Sequence, residues 1–225
     1  MLRNFVNSYK LKKFYSKLLH KNQLCFDIGA NVGKKSEIFL KAGAKVIAFE
    51  PQKSCIPELV KLKNKYKNFH FKSVALDNKE GFKSLFLSNY SEIATLSTSF
   101  VNLYKNKNIN WKNQEQVETI TINKAIKLYG LPNYCKIDVE GHEYEILSIL
   151  KFKISLIEFE VIAGFQEKAI ELIKILNNKN TLFNYTLNEQ PKFMFKDWVK
   201  VDKIIEVIKA FPKDLFHANI FIKTP

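Results

Sequence analysis

Short apolar runs alternate along this chain with longer amphipathic ones, and that alternation restricts the fold more than any other feature. LCFDIG (Leu24–Gly29) has the length and apolarity of a buried strand that ends in a glycine loop. The next segment, NVGKKSEIFLKA (Asn31–Ala42), places Ile38, Phe39 and Ala42 on one helical face, and Gly43 ends it. KVIAFEP (Lys45–Pro51) reads as a second strand stopped by proline. Ile56–Tyr66 reads as a helix and FHFKSVAL (Phe69–Leu76) as a third strand. A β-α-β-α-β series closes into a parallel sheet with covering helices. The alternation resumes with YCKIDVEG (Tyr134–Gly141), a helix to about Leu150, ISLIEFEV (Ile154–Val161) and a helix through Glu167–Leu176. TLFNYTL (Thr181–Leu187) and FHANIFIK (Phe216–Lys223) read as closing strands around a helix at Val201–Ala210.

The middle is less regular. Gly81–Ser88 fits a short strand, Asn89–Asn113 is polar and rich in asparagine, and VETITI (Val117–Ile122) has the period of a half-exposed strand. Asn123–Tyr129 reads as a helix closed by Gly130. A long irregular stretch inside a compact domain is usually functional, so residues 89–116 are expected to form a lid or substrate segment. At 225 residues the chain suits one domain, and seven glycines and six prolines leave little material for linkers. The expected organisation is a basic helical extension over residues 1–22 and a single domain over 23–225. No stretch approaches the roughly 20 apolar residues of a membrane span, and lysines interrupt the start too often for a secretory signal. That basic start has three open roles: a cap, a dimer contact or a peripheral membrane contact.

The formal charge is +14, from 36 basic against 22 acidic residues, which invites a nucleic-acid partner. Arg3 is the only arginine, however, and arginine's planar fork is what suits bidentate base and phosphate recognition. The lysines are also spread from Lys10 to Lys223 rather than gathered in one block. Nucleic acid is therefore disfavoured. Cys25, Cys55 and Cys135 are too few and too scattered for a disulfide framework or a zinc site, so a reducing, cytoplasmic setting is expected.

Asp27-Ile28-Gly29-Ala30-Asn31-Val32-Gly33 carries the most chemistry. A strand running through a glycine turn into a helix seats a ligand over the strand ends. Glu50 closes the second strand about 20 residues on, where nucleotide-binding folds hold an acid for ribose hydroxyls. The spacing is Asp-x-Gly-x-x-x-Gly, not the G-x-G-x-x-G of dinucleotide sites, and Asp27 would repel a pyrophosphate. It would attract the ammonium of a methionine moiety, so S-adenosylmethionine fits better than NAD.

FDIGANVG (Phe26–Gly33), VIAFEP (Val46–Pro51), VALD (Val74–Asp77), KIDVEGHE (Lys136–Glu143) and IEFE (Ile157–Glu160) occur in an order that resembles FkbM-type methyltransferases. The resemblance implies the class I S-adenosylmethionine-dependent fold: an α/β, Rossmann-like, doubly wound sheet of seven mostly parallel strands with helices on both faces. It also implies O-methylation of a hydroxylated small molecule or glycan. Carried onto this chain, Asp27, Gly29, Asn31 and Gly33 would hold the methionine end and Glu50 the ribose. Val74 and Ala75 would lie by the adenine, with Ser36 near the carboxylate. Asp77 reads equally well as a turn cap.

A hydroxyl acceptor must lose a proton, so a base belongs within hydrogen-bond reach. Asp138, Glu140 and His142 are the candidates, and an extended strand would point Asp138 and Glu140 to one side. His142 titrates nearest neutrality by its reference value. Glu158 and Glu160 are acceptor-side candidates, and Lys136 is read as a partner for a neighbouring acid. A divalent cation on Asp138 and Glu140 is conceivable, but the sequence shows no complete ligand set, and none is assigned. RNA ribose methylation and a noncatalytic cofactor-binding module are the alternatives.

Overall fold

The computed structural model describes residues 2–90, 93–105, 109–188, 190–213 and 216–225. In chain order the elements are α1 (Leu2–Tyr15), β1 (Leu24–Ile28), α2 (Lys34–Lys41), β2 (Lys45–Phe49), α3 (Ile56–Lys65) and β3 (Phe69–Lys72). There follow β4 (Ala75–Leu76), β5 (Gly81–Ser88), β6 (Ala94–Thr95), α4 (Thr98–Tyr104), β7 (Trp111–Ile120) and α5 (Ile122–Tyr129). The chain continues through β8 (Tyr134–Ile137), α6 (Glu143–Leu147), β9 (Leu156–Ile162), α7 (Gln166–Leu176), β10 (Leu182–Leu187), α8 (Val201–Ala210) and β11 (His217–Lys223).

Seven strands form the main sheet in the order β10-β11-β9-β8-β1-β2-β3, and β11 alone runs against its neighbours. The expected α/β, doubly wound architecture is present. Alternation along each strand sorts the two faces. Phe26, Ile28, Cys135, Ile137, Ile157 and Phe159 pack against Ile126 of α5, Ile146 of α6, Leu172 of α7 and Ile204 of α8. Cys25, Val46, Ala48 and Tyr134 pack on the opposite face against Phe39 of α2, Leu59 of α3, and Phe14 and Tyr15 of α1.

This second face carries a buried row of charge. Asp27, Lys136 and Glu158 are in-register neighbours on β1, β8 and β9, so their side chains share one side of the sheet. Asp27 has no exposed surface, and Glu158 and Lys136 have 1% and 3%. Tyr15 donates from its hydroxyl to Glu158 Oε1 at 3.0 Å, and Tyr134 donates to Oε2. α1 is thereby pinned to the sheet by a polar contact as well as by Phe14.

Three local expectations are corrected. The run Phe69–Leu76 is not one strand: β3 ends at Lys72, and the chain crosses to a second, four-stranded sheet in the order β4-β7-β5-β6. That sheet accounts for much of the irregular middle; of residues 89–116, 91, 92 and 106–108 lie outside the described residues. Its strand β7 begins at Trp111, six residues before the apolar alternation, because its first half pairs with β5 through polar residues such as Gln114 and Gln116. Strand β8 stops at Ile137, since Glu140 and Gly141 take left-handed backbone angles of φ 56° and 82°.

Tyr15→Phe removes one of the two donors to a buried carboxylate and should lower stability by about 1–2 kcal/mol. Urea unfolding of the variant would show it as a reduced midpoint at constant slope. An unshifted midpoint would mean that Tyr15 holds α1 by ring packing alone.

Candidate functional site

The carboxyl ends of β1, β2, β8 and β9 open into a cleft of about 760 Å³, walled on one side by the small sheet and α4. Its location follows from the glycine turn after β1. Gly29 sits at φ 75°, and a Cβ there would collide with the carbonyl oxygen of Asp138. The Asp138 N–H in turn donates to Ile28 at 3.0 Å, so the turns after β1 and β8 are laid directly on one another. Gly33 packs against Leu62 and Leu59 of α3, with room for no side chain at its φ of 81°.

The sequence-selected residues divide into two groups. Gly29, Asn31, Glu50, Ala75, Asp138, Glu140 and His142 line the cleft, whereas Asp27, Gly33, Ser36 and Val74 do not. Asp27 lies beneath the floor, where Ser36 donates to its Oδ2 at 2.6 Å and Lys136 approaches its Oδ1 at 3.7 Å. Ser36, itself fully buried, is therefore engaged by Asp27 rather than facing the cleft. Val74 packs at the edge of the main core.

Glu50 is 5% exposed and held by two backbone donors. The Asn31 N–H reaches Oε2 at 2.7 Å and the Gln52 N–H reaches Oε1 at 2.8 Å. Each oxygen keeps a lone pair for a further donor. Burial raises the Glu50 carboxyl above its ordinary range, and the two N–H groups hold it back. A carboxylate so oriented, next to a glycine cradle that admits no Cβ, presents both oxygens to the cleft as acceptors.

At the other end lie Asp138, Glu140 and Glu160, with one oxygen of each within 4.8 Å of the others. Lys136 lies 3.0 Å from Asp138 Oδ2. Burial pushes the Asp138 carboxyl up, but the charge and hydrogen bond of Lys136, joined by the Lys35 charge and a hydrogen bond from Glu160, together hold the group below its ordinary value. Glu140 and Glu160 move the opposite way: burial raises both well above the carboxylate range, and the charge of Asp138 adds to it. Within the cluster Asp138 is held toward its ionised form, while Glu140 and Glu160 have raised proton affinity. The same spacing would suit a divalent cation, yet a shared proton neutralises the cluster equally well, and nothing here selects a metal.

The turn carrying Glu140 is clamped from several directions. Thr95 on β6 donates to the Glu140 carbonyl at 2.8 Å. Glu143 accepts from the Val139 N–H at 3.0 Å and the Gly141 N–H at 3.4 Å. His142 Nε2 lies 2.8 Å from Asp77 Oδ1. Asp77 is thus more than a turn cap: it has no exposed surface and also pairs with Lys83 of β5. Sequence reasoning missed Thr95 of the small sheet, whereas Tyr104 of α4 is one of the middle-segment aromatics that the sequence offers for stacking on a sugar or packing a lid. Their place in the cleft follows from tertiary packing and has no local signature. Glu160 was legible from its position at the end of an apolar strand.

A family model described as methyltransferase FkbM domain matches residues 27–193. Among solved structures, precorrin-6y C5,15-methyltransferase from Geobacter metallireducens GS-15 superposes with a TM-score of 0.52 at 11% identity, covering 98% of this chain and 88% of that one. The C-terminal domain of precorrin-6Y C5,15-methyltransferase from Rhodobacter capsulatus gives 0.44 at 12% identity, over 92% of this chain and 82% of that one. An rRNA methylase from Streptococcus thermophilus gives 0.46 at 10% identity, over 95% and 93%. At such identities the first of these shows a shared fold. No curated protein matches the sequence.

Glu143 supplies a test of the clamp. Burial lifts its carboxyl to about 7, against the opposing pull of the Val139 and Gly141 N–H groups. A carboxyl raised in the folded state favours folding most below its unfolded value of about 4.5, and that advantage is lost as pH rises to about 7. Glu143→Gln, neutral throughout, should therefore match the parent at low pH and exceed its stability by roughly 1–3 kcal/mol above pH 7. Urea unfolding at several pH values reads the difference; a constant offset would place the Glu143 carboxyl near its ordinary value.

Proposed function

The chain belongs to the FkbM methyltransferase family and is an S-adenosylmethionine-dependent methyltransferase; on that premise we propose that it methylates a hydroxyl of a sugar, glycan or other small molecule. The observation that carries this reading is the cluster at the rim, where one oxygen each of Asp138, Glu140 and Glu160 lies within 4.8 Å of the others. Lys136, 3.0 Å from Asp138, favours the ionised form of Asp138, and burial together with that charge raises the proton affinity of Glu140 and Glu160. Neighbouring acids driven apart in this way are how a protein obtains a base that works near neutral pH.

The cradle fits the cofactor. Gly29 and Asn31 would take the methionine end, with Lys34 and Lys35 at the start of α2 offering positive charge to its carboxylate. Glu50 would accept from the ribose hydroxyls, and Ala75 and Leu76 would flank the adenine. Asp27, Ser36, Gly33 and Val74 would act from behind, by fixing the floor. Bound S-adenosylmethionine supplies a methyl carbon activated by a positively charged sulfur. Asp138, ionised and tied to Lys136, would orient the acceptor and raise the basicity of its neighbours. Glu140, or Glu160 beside it, in its ionised form would receive the hydroxyl proton, its raised proton affinity making that form the stronger base. Tyr104, Ile162 and Phe216 form the apolar side of this end and would exclude water from it.

The +14 charge is the one observation that favours an RNA acceptor. It is outweighed locally, because a phosphate near the reacting end would meet Asp138, Glu140 and Glu160. Among the described residues no helix is long and apolar enough to cross a membrane. A cytoplasmic location and residues 1–22 as an extension of a domain over 23–225 remain our reading.

Glu50→Ala should weaken S-adenosylmethionine binding by roughly 1–3 kcal/mol, the usual loss for charge-assisted hydrogen bonds. Calorimetry with unchanged affinity would remove Glu50 from the cofactor site. Glu140→Gln should cut turnover by about 100-fold while leaving cofactor affinity nearly as it was. Methyl transfer assayed against sugars, hydroxylated small molecules and RNA decides the acceptor; transfer confined to RNA would overturn the small-molecule reading.

A further inference from the structure

Asp77 and His142 form a buried acid–base pair at the edge of the cleft that the proposed chemistry does not use. Burial works against the Asp77 charge, yet hydrogen bonds from His142, Lys83 and the Asn78 backbone hold its carboxyl down at about 2. Lys83 pairs with its Oδ2, which marks Asp77 as a carboxylate independently of His142, and a carboxylate only accepts hydrogen bonds. Nε2 of His142, 2.8 Å from Asp77 Oδ1, must therefore carry a hydrogen.

The ring has one other nitrogen. Nδ1 lies 3.7 Å from Glu145 Oε2, on α6, and Lys168 of α7 bridges Glu145 at 2.8 Å. Glu145 is not among the residues that line the cleft. The nitrogen free to take up a proton thus faces the helix, while the acceptor end is formed by Asp138, Glu140 and Glu160.

From this geometry we infer that Asp77 and His142 are positioning residues: they latch the small sheet to the turn 138–142, and the base that receives the acceptor proton is a carboxylate rather than His142. The inference rests on the hydroxyl-methylating reading above. The latch has a clear mechanical role. Asp77, just after β4, holds His142 and is itself paired with Lys83 of β5, while Thr95 of β6 holds the Glu140 carbonyl, so the small sheet grips the turn at two points. Glu140 stands between those two grips in a left-handed conformation, φ 56°, that a glutamate adopts only when its surroundings impose it. Without the latch the turn can relax, and the Glu140 carboxyl leaves the rim while Glu50 and the glycine cradle stay in place.

His142→Gln and His142→Ala separate the two roles. A glutamine amide can still donate to Asp77 but cannot act as a base, whereas alanine does neither. His142→Ala should lose about tenfold or more in turnover with cofactor affinity within about threefold, and His142→Gln should recover most of that loss. Asp77→Ala combined with His142→Ala should be no worse than either alone. Nitrogen-15 shifts of the His142 ring in the unmodified protein should show Nε2 protonated from about pH 5 to about pH 9. A glutamine variant as inactive as alanine, or an Nε2 that carries no hydrogen, would overturn the inference. Should His142→Ala fail to fold, the glutamine variant and the ring shifts still decide. A parent protein that methylates no hydroxyl would sink the underlying reading, whereas the ring shifts would still report on the latch.

Discussion

One buried ammonium organises the site. Lys136, with 4% of its side chain exposed, lies 3.0 Å from Asp138 and 3.7 Å from Asp27, and it sits in register between Asp27 and Glu158. Burial alone would drive a lysine to shed its proton; the charges of Asp138 and Asp27 more than reverse that and raise its pKa. The cation in turn keeps Asp138 ionised, and ionised Asp138 lifts the proton affinity of Glu140 and Glu160. The electrostatic character of the rim is thus set one row deeper, inside the sheet. Replacing Lys136 by an apolar residue would leave Asp27 and Asp138 uncompensated, which is the costly way to break a buried ion pair.

The small sheet gives the rim its shape where Lys136 gives it charge. A doubly wound sheet alone ends in loops, and the turn after β8 would have only the Ile28–Asp138 hydrogen bond and the Glu143 clamp to hold it. The four added strands supply Asp77, Lys83 and Thr95, all aimed at that turn or at its partners. α4 closes the same side, with Phe100 stacked on Tyr104 at 4.5 Å and packed edge-on against Trp111 at 5.9 Å. The half of the cleft that we assign to the cofactor is therefore built by the parallel sheet, and the half that we assign to the acceptor is shared between that sheet and the segment inserted before α5.

This division explains what could be read from the chain. The cofactor half depends on short-range patterns: a glycine that must lie under Asp138, an acid at the end of β2, apolar runs of strand length. The place of Gly29, Asn31 and Glu50 in the cleft was recoverable for that reason. The acceptor half depends on contacts distant in sequence. Thr95 meets Glu140 across 45 positions and Asp77 meets His142 across 65, and neither pairing leaves a periodic trace. The small sheet was illegible for a related cause, since β5 and β7 pair largely through polar side chains and bury few apolar residues, Leu85, Val117 and Ile120 among them. Strand β8 was read too long because KIDVEG continues the apolar alternation, whereas a glutamate at positive φ has no signature beyond the glycine that follows it.

That glutamate bears on why the turn is clamped so heavily. A left-handed conformation at a residue other than glycine, asparagine or aspartate costs on the order of 1 kcal/mol, and Gly141 next to it shows that glycine is available to this turn. If position 140 served only to reverse the chain, glycine would do so without strain. The surroundings instead impose the strain through the Thr95 donor, the Glu143 acceptor and the His142–Asp77 pair. What glycine cannot supply is a carboxyl group held beside Asp138 and Glu160. Retaining the strained side chain under three independent restraints is the arrangement expected where a carboxylate must be fixed in direction, and it supports placing the proton acceptor at the Glu140 end of the cleft.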